Sequence, residues 1–130
     1  MLKCLCLGLM VWAGQIQAQD VDCANAQAQM EMNFCARQDW QEADADLNDA
    51  YKSAMVLMKS IDADLPEAER GAEEALRKAQ RAWVTFRDAA CVAEGFPMQG
   101  GSAQPMVVNG CLAQLTRQRA KSLWELAASY

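Results

Sequence analysis

The sequence predicts an all-α fold: a small bundle of about four helices, one short and three longer, stapled by two disulfides. Three observations carry that expectation. After the first eighteen residues, apolar side chains recur at steps of three and four through nearly the whole chain, the period of helices with one buried face. No stretch alternates apolar and polar residues as a half-buried strand does. Four cysteines, Cys23, Cys35, Cys91 and Cys111, lie downstream of an N-terminal segment with the marks of an export signal.

That segment is residues 1–18. Lys3 gives a short positive start, Cys4 to Gly14 is an uncharged apolar run, and Ala18 supplies a small residue for cleavage. The run is too short to span about 30 Å of hydrocarbon as a helix. Lipid attachment would need a cysteine directly after a small-residue box, whereas Cys23 follows Gln19-Asp20-Val21-Asp22. Residues 19–130 are therefore expected to form a single helical domain, periplasmic or secreted, with no membrane span.

Local reading gives the helices in order. Ala24 to Arg37 reads as the short one, with Met30 and Phe34 on one side. Asp39 to Ser60 carries Trp40, Ala43, Leu47, Tyr51, Ala54, Met55 and Met58 on its apolar face. The pattern breaks over Ile61 to Leu65, and Pro66 suits a first helical turn. Pro66 to Ala93 follows, with Leu76, Ala79, Trp83, Phe86 or Arg87, and Ala90 facing inward and Gly71 as a weak point. Three glycines, two prolines and no charge make Gly95 to Pro105 the one clear loop. The last helix, from Met106 or Asn109 to Ala128, carries Leu112, Leu115, Arg119, Leu123 and Leu126. Trp40, Trp83, Met30, Met32, Met55 and Met58 read as core, and Trp124 as partly exposed.

An even number of cysteines in an oxidising compartment reads as a disulfide framework. Three pairings are possible, and local closure favours Cys23–Cys35 with Cys91–Cys111. In one continuous helix, residues twelve apart lie about 18 Å from each other, too far for a disulfide. If Cys23 and Cys35 pair, the chain must turn between them, or Cys23 must lie in a segment that folds back. A four-thiolate zinc site would need close cysteine pairs, and none exist.

The chain has 12 Lys+Arg, 17 Asp+Glu and no histidine. Asp20 to Glu74 holds fourteen acids against four bases, a net of −10, and the remainder holds three acids against seven bases, a net of +4. An acidic exported domain is a poor partner for nucleic acid and a better one for a basic protein. Without histidine, Ser-His-Asp and Cys-His catalysis have no base. Gly100-Gly101-Ser102 is too short to cradle a phosphate. Neither an enzyme nor a cofactor or metal is expected.

The informative polar residues are those on apolar faces. Asp44 and Asn48 lie one turn apart beside Leu47 and Tyr51. Gln80 and Arg87 flank Trp83, and Arg119 interrupts Leu115 and Leu123. Charges there are costly unless paired, so Arg87 or Arg119 is expected to pair with Asp44 or Asp88 across the bundle. The plainer reading is that the arginine stems cover apolar surface and their heads reach water.

Taken together, Cys23-x-x-Ala26-x-x-Gln29-x-Glu31-Met32-Asn33-x-Cys35, Ala43-Asp44-x-x-Leu47-Asn48-x-x-Tyr51, Gln80-Arg81-x-Trp83-x-x-Phe86-Arg87-Asp88-x-x-Cys91, Gly100-Gly101-Ser102 and Cys111-Leu112-x-x-Leu115-Thr116-x-x-Arg119 resemble the LprI-type lysozyme inhibitor domain. The resemblance implies an exported helical domain with disulfides formed by these cysteines, and inhibition of lysozyme. The expected partner is then a protein, lysozyme or another basic cell-wall hydrolase. Its candidate contact residues are Glu42, Asp46 and Asp49 on one helix and Gly100, Gly101 and Ser102 in the loop. The other reading is an envelope structural or maintenance protein that has no hydrolase target and acts through self-association as a homodimer.

Overall fold

The structure, a computed structural model, describes residues 21–129; the expected signal, 1–18, lies outside them. The described residues form three α-helices and no strand: α1 (Gln29–Asp64), α2 (Ala72–Gly95) and α3 (Gln104–Ala128), with 3-10 turns at Glu67–Glu69 and Phe96–Met98. No described helix is long and apolar enough to cross a membrane.

Three helices stand where four were expected because the first two are one. No Pro or Gly occurs between Ala24 and Leu65, so nothing interrupts the ladder near Gln38, and α1 runs unbroken for 36 residues. The turn that Cys23 needs lies earlier. Asp22 accepts hydrogen bonds from the Ala24 amide (3.1 Å) and the Asn25 side chain (2.7 Å), which bends the chain. Cys23 thus folds back onto the first turns of α1, and the Cys23–Cys35 Cα atoms lie 5.6 Å apart. Glu31 closes the helix start by accepting from the amides of Gln27 and Ala28, both at 3.2 Å.

The start of α2 also moves, from Pro66 to Ala72, with Gly71 preceding the helix rather than weakening its interior. The cause is Asp62 near the end of α1. Its carboxylate accepts the amides of Glu73 (3.0 Å), Gly71 (2.8 Å) and Ala72 (2.9 Å), capping α2 from another helix. The bonds from the amides of Glu73, Gly71 and Ala72 hold the Asp62 carboxyl below its ordinary value of 3.8. A depressed folded-state value stabilises the fold above the ordinary value and loses that contribution as pH falls through the depressed one. Asp62→Asn is therefore expected to melt at a lower temperature than wild type at neutral pH, with the gap narrowing in acid as pH falls through the depressed value and wild type is protonated. Thermal melts at neutral and acid pH check this; a pH-independent gap would assign Asp62 no charge-dependent role.

α1 and α3 pack along most of their length, and α2 leans on both. The main core joins Leu47, Ala50, Ala54 and Met55 of α1, Leu76 of α2, and Ala120 and Leu123 of α3. A second cluster surrounds the Cys91–Cys111 disulfide, with Leu112, Trp40, Val108 and Leu115. Two residues expected inside are outside: Met30 is 80 % exposed, because it lies off the side of α1 on which Gln29 and Asn33 meet Met106 and the Ser102 carbonyl, and Ala79 also faces solvent.

The segment expected as an open loop is largely built. α2 continues to Gly95, Phe96–Met98 form a 3-10 turn, and α3 begins at Gln104. Gly95 lets α2 approach α3: a Cβ there would lie 2.5 Å from Val108 Cγ2. Gly100 takes a left-handed φ of 77° that favours glycine.

Candidate functional site

The polar residues on the apolar faces converge on Arg87. Phe86 and Arg87 are 100° apart on α2, and it is the arginine that points inward, 6 % exposed, while Phe86 is 61 % exposed. The Arg87 guanidinium lies between Trp40 of α1 (5.8 Å from its ring centroid) and Trp83 of α2 (5.2 Å), one from each core cluster. Its Nη1 donates to Asp44 Oδ1 of α1 (3.2 Å) and to Thr116 Oγ1 of α3 (3.3 Å), and its Nε donates to Asp88 Oδ1 (2.8 Å). One side chain thereby ties all three helices together. Burial on apolar faces and pairing on polar edges coexist because the guanidinium is planar and donates in its plane.

The other expected members divide. Asn48 donates to Asp44 (3.4 Å) and so joins the network at its rim. Among the described residues Arg119 meets no carboxylate: its Nε donates to Gln80 Oε1 (3.0 Å). Burial lowers the Arg119 pKa from its ordinary value, which fits a neutral partner. Thr116, fully buried, gave no advance signal in this role; a hydroxyl on an otherwise apolar face four residues before Ala120 is the only trace it leaves.

Asp44, Asn48, Tyr51, Gln80 and Arg81 line a groove of about 430 Å³ between α1 and α2, with Arg87 at its floor. No described group of His, Cys, Asp and Glu could hold a metal ion.

Glu42, Asp46 and Asp49 project from the same side of α1, together with Asp39, at steps of three and four. Asp46 accepts from Trp124 Nε1 of α3 (3.0 Å), Asp49 pairs with the exposed Lys52 (3.0 Å), and Asp39 pairs with Arg117. Glu42 is exposed. The result is an acidic ridge along the α1–α3 side. Gly100, Gly101 and Ser102 lie at the far end, in the turn between α2 and α3. That turn is held from three directions: by Asn33 donating to the Ser102 carbonyl (2.9 Å), by Gln104 donating to Gln99 (2.6 Å), and by Cys91–Cys111 at its base. The ridge and the turn do not form one site.

Comparison with known proteins gives a consistent picture. Residues 22–123 match the family model described as lysozyme inhibitor LprI. An uncharacterised protein of Rhizobium meliloti (strain 1021) is 47 % identical over 116 residues, spanning 87 % of this chain and 84 % of the relative. The crystal structure of a DUF1311 family protein from Pseudomonas putida KT2440 superposes with a TM-score of 0.67 at 29 % identity, covering 77 % of this chain and 94 % of that one.

Proposed function

Because the chain belongs to the LprI lysozyme inhibitor family, we propose that it is an exported binding protein that neutralises a basic cell-wall hydrolase, lysozyme in the simplest case, by protein–protein contact. Family membership carries the reading. Two disulfides support an oxidising compartment, periplasmic or extracellular. The absence of histidine from the sequence supports binding over catalysis.

The acidic ridge is the surface that suits a basic partner. Carboxylates fixed on one side of a rigid helix present their field without having to order a loop, and such fields act mainly on the rate of encounter. The turn at Gly100 to Ser102 is pinned, so it can contribute shape, not a flexible insertion. The test is clearing of cell-wall suspensions by lysozyme with the purified mature protein added. Protection at modest molar excess is expected. Reversing the two ridge acids that hold no contact with α3, Glu42→Lys with Asp49→Lys, is expected to raise the protein needed for half-protection by about tenfold at low salt and less at high salt. No protection at large excess would remove this reading.

A further inference from the structure

Two arginines lean into the bundle, and their surroundings differ. Arg87 has two carboxylates, whereas Arg119 has none among the described residues. Only the Nε of Arg119 is engaged, by the side-chain oxygen of Gln80. Its two Nη groups make no hydrogen bond among the described residues. A guanidinium drawn away from water without a counter-charge is costly, and burial already lowers its pKa. An anion arriving from outside would remove that cost.

Arg119 lines a concavity of about 270 Å³ in the seam between α2 and α3. Trp83 and Phe86 of α2 and Leu115, Gln118 and Ser122 of α3 complete its walls, and among the described residues no acid lines it. Phe86 is mostly exposed, so its ring is open to a ligand. Gln118 is exposed too, with donors and an acceptor on one amide. The Ser122 hydroxyl donates to the Gln118 carbonyl (3.0 Å), which leaves its oxygen to accept.

These groups narrow the chemistry of what fits. A guanidinium fork matches a carboxylate. An exposed aromatic ring covers the C–H face of a sugar ring, and the amide and hydroxyl suit the hydroxyls around its edge. A purely apolar acid would set Gln118 and Ser122 against a surface with no hydrogen-bonding groups, at a cost. A neutral sugar would leave Arg119 without its anion. The volume is below that of a drug-sized site, which suits one ring.

We infer that the α2–α3 pocket binds a sugar ring bearing a carboxylate, with Arg119 on the carboxylate, Phe86 against the ring, and Gln118 and Ser122 on its hydroxyls. The pocket lies apart from the acidic ridge on the α1–α3 side, and its binding does not depend on hydrolase inhibition.

Titration of the mature protein with glucuronate and with N-acetylmuramate, with no hydrolase present, tests it. The readout is the NMR shift of the Trp83 and Arg119 side-chain N–H signals. Saturable shifts are expected with at least one of the two acids, and which acid binds tells a uronic from a muramic ring. Glucose, which lacks the carboxylate, and benzoate, which lacks the hydroxyls, are each expected to bind about tenfold more weakly or worse. Phe86→Ala, at an exposed position, keeps the melting temperature and weakens the acid about tenfold. Arg119→Gln abolishes the preference for glucuronate over glucose, and Arg119→Lys restores it only in part, because an ammonium does not form the two parallel bonds. No saturable shift with either acid overturns the inference, as does glucose binding equal to that of glucuronate or a preference that survives Arg119→Gln. Benzoate binding as tightly as the sugar acids overturns the assignment to a sugar. Sugar-acid binding by a protein that gives no lysozyme protection leaves this inference standing and removes only the hydrolase reading.

Discussion

Arg87→Ala is expected to destabilise the domain by about 3 kcal/mol, read as a lower midpoint in urea with an unchanged slope. The loss comes from packing more than from the ion pairs. Asp44 and Asp88 have side chains 43 % and 56 % exposed, so both are rehydrated when the arginine is removed, and their pairing contributes little by itself. What water does not replace is the guanidinium between the Trp40 and Trp83 rings, worth about 1 kcal/mol or more per contact when desolvated. Nor does it replace the bond to Thr116, whose hydroxyl is left buried at a cost of about 1 kcal/mol. Arg87→Met separates these terms. A methionine fills most of the space between the rings and is expected to recover about half of the loss. Arg87→Lys recovers less than its charge suggests, since a single ammonium does not reach α1, α2 and α3 from between two aromatic faces. If Arg87→Ala unfolds at the wild-type midpoint, the three helices are held by their apolar faces alone.

That residue also shows what sequence reasoning reaches and where it stops. The period of α2 narrows its inward position to Phe86 or Arg87, and hydrophobicity alone favours the phenylalanine. The choice is made by Trp40, Asp44 and Thr116, which come from two other helices and are 47, 43 and 29 residues away in the chain. Arg119 illustrates the same limit: its burial is legible from Leu115 and Leu123, but its partner proves to be the amide of Gln80. The faces of α1 and α3 are legible because Leu47, Ala54, Leu112 and Leu123 sit in long periodic runs. The boundary placed near Gln38 fails because the local residues there make no turn: with no Pro or Gly between Ala24 and Leu65 the two periodic stretches are one helix, and the turn that folds Cys23 back lies earlier. Asp22, three residues before Asn25, is the local signal that places it correctly. Asp62 is hidden for a different reason: its role depends on where the chain returns after Pro66, and an acid in the last turn of a helix ordinarily opposes the dipole. At the candidate contact surface, the i, i+4, i+7 spacing of Glu42, Asp46 and Asp49 is visible in the sequence, but the rigidity of the Gly100 turn is not. Glycines suggest freedom, while Asn33, 69 residues away, removes it.

Replacing the second disulfide, Cys91→Ala with Cys111→Ala, is expected to have the largest effect, about 4 kcal/mol and enough to leave a substantial unfolded fraction at physiological temperature. The bridge closes a loop with a sequence separation of 20, worth about 3 kcal/mol in the chain-entropy model. Its sulfurs are also part of a core. Cys91 is 0 % and Cys111 5 % exposed, packed with Leu112, Trp40, Val108 and Leu115, so shortening both side chains adds the cost of a small cavity. The Cys23–Cys35 bridge makes an instructive contrast. It closes a shorter loop, with a separation of 12, and Cys23 is exposed. Its removal is expected to cost less, about 2 kcal/mol, and to fray only the segment before Gln29. Urea midpoints of the two double variants, with hydrogen exchange to locate the loosened residues, check both statements. If the Cys23–Cys35 variant proves the less stable, the folded-back N-terminal segment holds the bundle together more firmly than its exposure indicates. The order also bears on binding. The Cys91–Cys111 bridge fixes the base of the turn and the end of α2, whereas the acidic ridge lies on α1. A variant lacking the second bridge but still folded at low temperature is therefore expected to lose affinity only if the partner touches the turn, which makes the same protein a probe of which surface inhibition uses.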